Sequence, residues 1–163
     1  MKYSIITIND DRFAELEKTA DVIWHQCYKD LLSFDQITYM LGKFLSVDAF
    51  KRQAEEGYIY RGLIMDDEIV GFTGSRKQGD RVFLSKLYLL EKYHGLGLGK
   101  ILMDDCISLY PECSSVYLTV NKNNSSYNIY RHLGFEVIDS VVTDIGEGYV
   151  MDDYVMERRL MRQ

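Results

Sequence analysis

Tyr93-His94-Gly95-Leu96-Gly97-Leu98-Gly99-Lys100 places three of the chain's 12 glycines at alternate positions. The octapeptide follows an apolar run, residues 82 to 90, and precedes an amphipathic run, residues 98 to 109. This pattern predicts a glycine-rich turn between a strand and the start of a helix. Such a turn directs several backbone N–H groups to one point, and the helix dipole adds positive potential there. Because glycine lets a ligand approach the backbone closely, the stretch predicts a phosphate site.

Two common phosphate-binding loops do not match this spacing. A P-loop would need a glycine at His94 and a hydroxyl side chain at Ile101. A dinucleotide fingerprint that starts at Gly95 would need a glycine at Lys100, and it should follow the first strand of the chain. Both mismatches argue against a nucleotide-binding protein.

A third spacing does match, with His94 in the first slot, Gly97 in the fourth and Gly99 in the sixth. The pattern Gln/Arg-x-x-Gly-x-Gly/Ala resembles the pyrophosphate-binding loop of the GNAT superfamily of acetyl-coenzyme A-dependent N-acetyltransferases. His94 departs from the usual Gln or Arg. The match alone leaves a purely structural glycine turn as the alternative.

A second match lies one supersecondary unit downstream, over residues 123 to 135. It is similar to the GNAT pattern N-x-x-A-x-x-x-Y-x-x-x-G-F, with Asn123, Ser126, Tyr130 and the closing pair Gly134-Phe135 in register. Both motifs, in this order and at this separation, make the resemblance specific. It covers roughly residues 68 to 160.

The physical chemistry of this second segment agrees with a helix. Asparagines 123 and 124 are suited to cap its first turn, and Gly134 is suited to end it. Tyr127, Tyr130 and Leu133 recur at the spacing of one helical face. We therefore expect a helix that carries these three side chains on one face.

Hydrophobic periodicity along the rest of the chain predicts a mixed fold. A strand over 3–8 precedes a long helix over 13–27, a second helix after Ser33 and a short third helix closed by Gly57. Further strands are predicted over 58–65, 68–75, 81–90, 115–120, 135–142 and 149–159, with a turn at Asp66-Asp67. Leaving out the short third helix, the order is β-α-α-β-β-β-α-β-α-β-β. We expect one α+β domain over residues 1–163, with a GNAT-like mixed, mostly antiparallel sheet flanked by helices.

Composition narrows the partners. The net charge of −6 and the lack of a dense Lys/Arg run argue against a surface that binds nucleic acid. No apolar run approaches the roughly 20 residues of a membrane span, and the N-terminus lacks the apolar core of a signal peptide, so we expect a cytoplasmic protein. Three cysteines without CxxC spacing and three histidines without paired spacing predict no metal site. Cys27 and Cys106 are predicted to be inert, buried thiols.

The resemblance implies acetyl-coenzyme A as co-substrate and a set of cofactor-binding residues. The strand before the glycine loop should splay from the next strand, and its last residues should bond the pantetheine arm through their backbone. The loop amides should hold the pyrophosphate, and Asn123 should contact the cofactor arm or cap the helix. His94 is either a cofactor contact or a surface residue. The implied set is Leu87, Tyr88, Leu89, His94, Gly95, Leu96, Gly97, Leu98, Gly99, Lys100 and Asn123.

The resemblance also implies the chemistry. Tyr130 should act as the general acid that protonates the leaving thiolate during direct acetyl transfer to a primary amine. A general base is harder to place, because none of Glu68, Asp152 and Asp153 belongs to a defined motif. The alternative is a non-catalytic acyl-coenzyme A-binding or regulatory domain with the same fold.

The acceptor is predicted to be a small molecule. The net charge of −6 favours a cationic amine, with polyamines or aminoglycosides ahead of peptide N-termini. Trp24, Tyr28 and Tyr39 are candidates for the wall of an acceptor pocket, although core packing is the stronger expectation for Trp24. The sequence leaves open whether two copies pair as a homodimer.

Overall fold

The computed structural model describes residues 2–161 and contains one seven-stranded sheet in the order β1-β2-β3-β4-β5-β7-β6. The strands are β1 (Ser4–Thr7), β2 (Ile59–Met65), β3 (Glu68–Gln78), β4 (Arg81–Leu89), β5 (Ser115–Asn121), β6 (Glu136–Gly146) and β7 (Tyr149–Arg159). The helices are α1 (Phe13–Tyr28), α2 (Phe34–Phe44), α3 (Val47–Glu55), α4 (Leu98–Ser108) and α5 (Ser126–His132). Neighbouring strands are antiparallel except β4 and β5, which are parallel. The predicted α+β class and element order are confirmed, and α3 is the short third helix.

Helices cover both faces of the sheet, because each has one apolar stripe to bury. On α1 the stripe consists of Phe13, Leu16, Ala20, Ile23 and Trp24, each at most 4% exposed. Helices α1, α2 and α3 share one core cluster, while α4 and α5 contribute to the clusters on the other face. Among residues 2–161, no helix is long and apolar enough to cross a membrane.

Two strands run further than their sequence pattern predicts. β3 continues to Gln78 rather than Ser75, and β6 continues to Gly146 rather than Val142. In each case the extra residues pair with the neighbouring antiparallel strand. Pairing therefore extends strands past the point where apolar alternation stops. The predicted turn at Asp66-Asp67 is confirmed, with φ angles of 51° and 65° that suit a tight hairpin.

The parallel pair in the middle of the sheet is incomplete. Only Arg81–Phe83 of β4 pair with β5, and they face Ser115–Tyr117. From Leu84 onward, β4 pairs with β3 alone, and a bulge at Ser85 interrupts this pairing. A bulge bends the strand that carries it, so β4 diverges from β5 over residues 84–89. The expected splay is confirmed.

A buried lysine is tied to neutral partners under α3. Lys86 is 7% exposed, and its Nζ donates to Gln53 Oε1 at 2.7 Å and to the Tyr60 hydroxyl at 2.8 Å. Tyr60 in turn donates to Gln53. Burial, together with the positive charge of Arg52, lowers the pKa of Lys86 to about 7.

We expect this lysine to make the free energy of unfolding rise between pH 7 and pH 9. In the unfolded chain the amine keeps its ordinary pKa of 10.5 and stays protonated, whereas in the folded protein it loses its proton near pH 7. Raising the pH therefore favours the folded state, by at most about 1.4 kcal/mol per pH unit. Lys86→Met should flatten this rise and leave the Tyr60–Gln53 bond in place. Denaturant unfolding of both proteins at pH 7 and pH 9 checks the expectation, and equal pH dependence would contradict it.

Candidate active site

The divergence of β4 from β5 opens into a cavity of about 480 Å³. Its lining comes from the glycine loop, β4, β5 and α5, and from α1, α2 and β7. The cavity is lined by residues from the core on both faces of the sheet. Trp24 belongs to the cluster shared by α1, α2 and α3 (the α1 cluster), and Leu118 belongs to the cluster against which α5 packs (the α5 cluster). The gap between the two strands therefore connects the two sides of the sheet.

At one end of the cavity, the glycine loop opens helix α4 in a conformation that needs glycine. Gly95 and Gly97 have φ angles of 79° and 78°, in the left-handed region that other residues rarely adopt. Gly97 caps α4, and a Cβ built on Gly95, Gly97 or Gly99 would meet no protein atom within 4 Å. All three glycines and Lys100 line the cavity. The free N–H groups of a helix start thus border open space, which suits an anionic ligand.

The two leucines of the loop differ from the glycines. Leu98 is 1% exposed and packs in the core with Leu102, whereas Leu96 is 53% exposed. Neither is among the residues that line the cavity. The structure thus places Leu96 and Leu98 beside the cavity lining, not in it.

His94 joins the glycine loop to the end of β4. It lines the cavity and is exposed, and its Nε2 lies 2.8 Å from the carbonyl oxygen of Leu89. With the proton on Nε2, the ring donates to that carbonyl. This bond holds the loop against the strand, a role that neither sequence expectation for His94 included.

The end of β4 offers backbone groups to the cavity. Leu87, Tyr88 and Leu89 pair with β3 on one side only, and all three line the cavity on the side that β5 leaves open. The Tyr88 ring packs toward α1, 5.9 Å from the Trp24 ring between centroids. Unpaired strand groups beside a channel can bond an extended ligand as a further strand would.

Tyr130 lies where α5 meets the cavity. Its ring packs 5.7 Å from Phe135 between centroids, and Phe135 N–H donates to the Tyr130 carbonyl at 3.0 Å. Gly134 ends the helix with a φ of 94°. Burial, then the nearby Tyr28 hydroxyl and Cys27 thiol, raise the pKa of Tyr130 above its ordinary value. The phenol therefore stays protonated at neutral pH and can donate a proton or hydrogen bond. Tyr127, Tyr130 and Leu133, predicted to share one face, pack against one cluster.

The two neighbouring asparagines have different roles. Asn124 Oδ1 accepts from Ser126 N–H at 2.9 Å at the start of α5, and Asn124 Nδ2 donates to the Tyr28 hydroxyl at 3.4 Å. Asn124 lines the cavity. Asn123 is exposed, lies outside the lining and donates its N–H to Asn121 Oδ1 at 2.8 Å. The cap and the side-chain contact with the cavity thus belong to Asn124.

Among the three carboxylates considered from the sequence, only Asp153 lines the cavity. It is 4% exposed, and its Oδ1 has no hydrogen-bond partner among the described residues. Burial raises the pKa of Asp153 to about 6, Asp152 adds to the rise, and Lys122 opposes it. Asp152 is exposed and forms an ion pair with Lys122 at 3.1 Å, and Glu68 is exposed at the start of β3. Burial and an unpartnered oxygen distinguish Asp153 from the other two carboxylates. The sequence alone could not make this distinction.

Aromatic side chains form the α1 wall. Trp24 is 4% exposed, its Nε1 has no partner within residues 2–161, and its ring lies 4.5 Å from the Tyr28 ring between centroids. Burial is the main reason that the pKa of Tyr28 rises to about 12. Tyr39 lies outside the lining, because its hydroxyl donates to the Ile145 carbonyl at 2.6 Å. Two of the three predicted aromatics therefore reach the cavity.

The cysteine prediction was half right. Cys106 is fully buried in α4, as expected. The prediction for Cys27 was wrong, since this residue is exposed and lines the cavity near the end of α1. Within residues 2–161, no cluster of three or more His, Cys, Asp or Glu side chains could hold a metal ion.

A sheet opened beside a glycine loop, with a tyrosine from the following helix at the opening, defines the class of acetyltransferases that the sequence motifs resemble. The family model described as "Acetyltransferase (GNAT) domain" matches residues 29–155. The chain belongs to this GNAT family.

Individual relatives agree with this assignment. The chain is 29% identical to the [ribosomal protein bS18]-alanine N-acetyltransferase of Haemophilus influenzae, over 58% of this chain and 66% of that protein. It is also 29% identical to the spermine/spermidine N(1)-acetyltransferase of Bacillus subtilis, over 51% of this chain and 64% of that protein. The matches therefore span just under two thirds of the length of these curated relatives.

The fold has a close counterpart among solved structures. The PaiA N-acetyltransferase of Thermoplasma acidophilum, solved in complex with coenzyme A, superposes with a TM-score of 0.84 at 21% identity. The superposition covers 98% of this chain and 100% of that one. At this identity the likeness concerns the fold.

Proposed function

We propose that residues 1–163 form a single domain that transfers an acetyl group from acetyl-coenzyme A directly to a primary amine. One observation carries this proposal: a single cavity joins the open glycine loop at the start of α4 to Tyr130 and the buried carboxylate of Asp153. A phosphate-binding end, a proton donor and a proton acceptor then lie along one ligand path. Family membership and the relatives' activities support the same reaction.

Backbone groups of the chain would hold the pyrophosphate and the pantetheine arm of the cofactor. N–H groups at the start of α4, from Gly97 to Lys100, would neutralise the pyrophosphate. The unpaired edge of Leu87–Leu89 would bond the pantetheine arm in the gap that β5 leaves. This arrangement would direct the thioester toward Tyr130, at the point where α5 meets the cavity. Asn123 is outside the lining, so a cofactor contact from it would use the outer part of the ligand.

The reaction needs one proton donor and one proton acceptor. The acceptor ammonium first loses a proton, and its nitrogen then attacks the carbonyl carbon of the thioester. The carbon–sulfur bond breaks as the tetrahedral intermediate collapses, and Tyr130 gives a proton to the leaving sulfur. The tyrosinate then recovers the proton that the attacking nitrogen loses as it becomes an amide. Cys27 has no part in this scheme, because transfer is direct and the chain needs no acetyl-enzyme.

The acceptor would be small or present a small amine end. The relatives act on two kinds of amine, the alanine of a ribosomal protein and spermine or spermidine, as their names state. A cavity of about 480 Å³ also holds the reactive part of the cofactor, so little volume is left for the acceptor. This restriction favours a small-molecule amine over a folded protein surface.

The test of this function is an acetyl-coenzyme A assay over a broad panel of primary amines, following release of the free thiol. We expect amine-dependent thiol release, with the acetylated amine found in equal amount by mass spectrometry. Calorimetric titration with coenzyme A distinguishes this function from the non-catalytic alternative. Tight binding without thiol release on any amine would favour a non-catalytic acyl-coenzyme A-binding domain, and absence of binding would contradict both functions.

A further inference from the structure

The charges that line the cavity are few and are segregated. Among the described residues, Asp153 is the only acidic side chain in the lining. The basic or imidazole side chains there, Lys100 and His94, belong to the glycine loop, whereas Asp153 belongs to β7. The net charge of −6 therefore comes from acidic side chains elsewhere on the protein.

The walls that residues 24–40 and β7 contribute to the cavity are largely apolar or aromatic. They include Trp24, Tyr28, Leu32, Met40 and Met151, and all five pack in or against the α1 cluster. The polar side chains nearby are Gln36, whose Nε2 donates to the Val150 carbonyl at 3.3 Å, Asn124, which donates to the Tyr28 hydroxyl, and Asn121, the cross-strand partner of Asp153. This part of the lining thus combines one buried, unsatisfied carboxylate oxygen with a largely hydrophobic surface.

We propose that the acceptor is a monoamine, whose single ammonium binds and is deprotonated by Asp153 and whose apolar or aromatic body lies against Trp24 and Tyr28. The inference rests on the proposed function and narrows its substrate class. It differs from the expectation based on net charge, which ranked polyamines and aminoglycosides first.

Two physical costs select against a second charge. An ammonium buried without a carboxylate loses hydration that the neutral groups of the wall restore only in part, and this cost is several kcal/mol unless the charge is paired. The first ammonium avoids it because Asp153 is present, and the faces of Trp24 and Tyr28 can attract a cation close to their rings. A second ammonium, or the carboxylate of an α-amino acid, would lie against Leu32, Met40 or Met151 with no opposite charge.

The same carboxylate can accept the proton. One oxygen of Asp153 takes a proton from the bound ammonium, the amine attacks the thioester, and the carboxylic acid then releases the proton to solvent. The groups that face Asp153 are Asp152 from its own strand, Lys122 from the end of β5 and Tyr28 from α1. Asp152 favours the protonated form, Lys122 favours the ionised form, and Tyr28 is neutral at neutral pH.

Matched acceptors test the substrate class. We expect kcat/KM for n-hexylamine and 2-phenylethylamine to exceed that for 1,6-diaminohexane and spermidine by about tenfold or more, the effect of roughly 1.4 kcal/mol. Equal or higher kcat/KM for the diamine, which has the same chain length as n-hexylamine, would overturn the inference while leaving the acetyltransferase proposal intact. Failure with every amine would overturn the proposed function and this inference with it.

A pair of variants tests the carboxylate. Asp153→Asn should lower kcat/KM for n-hexylamine by about 10²-fold and remove the rise in activity around pH 6, with coenzyme A affinity unchanged by calorimetry. Asp152→Asn is the control. It should keep the rate at pH 8 within about twofold and move the rise to lower pH, because Asp152 raises the pKa of Asp153. An unchanged pH profile in Asp153→Asn would overturn the role of Asp153, since a merely structural residue would affect stability but not this titration.

Discussion

Tyr130→Phe should lower turnover about 100-fold or more and leave coenzyme A affinity within a few-fold. The substitution removes one hydroxyl from a ring whose packing against Phe135 stays the same. The lost proton donor accounts for the expected size, which is the usual range for general acid catalysis. Because the pKa of Tyr130 is raised, the wild-type phenol is protonated at neutral pH, so the loss should be seen throughout that range. Steady-state rates and calorimetric titration measure the two quantities.

Tyr127→Phe is the matched control for this experiment. Tyr127 lies on the same helix and packs against the same cluster, but it does not line the cavity. Its hydroxyl accepts from Arg131 Nη1 at 3.2 Å on the exposed side. We expect its turnover to stay within about twofold of wild type. If Tyr130→Phe kept wild-type turnover with the chemical step shown to limit the rate, Tyr130 would have no part in proton transfer.

Gly99→Val should weaken coenzyme A binding by at least tenfold, or about 1.4 kcal/mol. Gly99 lies inside α4 with an ordinary helical φ, and its missing Cβ faces open space in the cavity lining. A valine there fits the protein but occupies the position that a phosphate needs. Gly97 is a poorer choice, because its φ of 78° would strain any other residue and so confuse lost binding with lost folding.

Gly42→Val controls for the change of residue type. Gly42 also lies in a helix, α2, with no protein atom within 4 Å of its missing Cβ, and it does not line the cavity. Its effect on helix stability should resemble that of Gly99→Val, and its coenzyme A affinity should match wild type. Unchanged affinity in a folded Gly99→Val protein would remove the glycine loop from the cofactor site.

Much of the fold could be predicted, because its signals are local. Strand and helix periods, the Asp66-Asp67 turn and the two family motifs each lie within a short stretch, and each specifies an element or a helix start. The motif register also brought Tyr130 and Gly97 to one cavity. These residues lie on different elements, and the resemblance supplied the missing spatial relation.

Asp153, Asn124 and Cys27 could not be placed in the same way. Their roles depend on which strand edge is left unpaired and on which side chains border the resulting cavity, and neither is a local property. Asp153 looks like its neighbour Asp152 in the sequence, yet the pleat of β7 turns one into the cavity and the other to solvent. Helical spacing placed Cys27 on an apolar face, but in the structure Cys27 is exposed and borders the cavity.

The short ladder between β4 and β5 divides the sheet into two halves that few hydrogen bonds join. Three residue pairs join a four-stranded half, β1 to β4, to a three-stranded half, β5 to β7. A ligand arm that bonded the free edge of β4, as proposed, would fill the gap where the ladder stops and would stabilise this seam between the two halves. Ligand-bound protein should resist opening at this seam by an amount set by ligand concentration over its dissociation constant. The ladder with the fewest residue pairs in the sheet would then be the one that the proposed co-substrate completes.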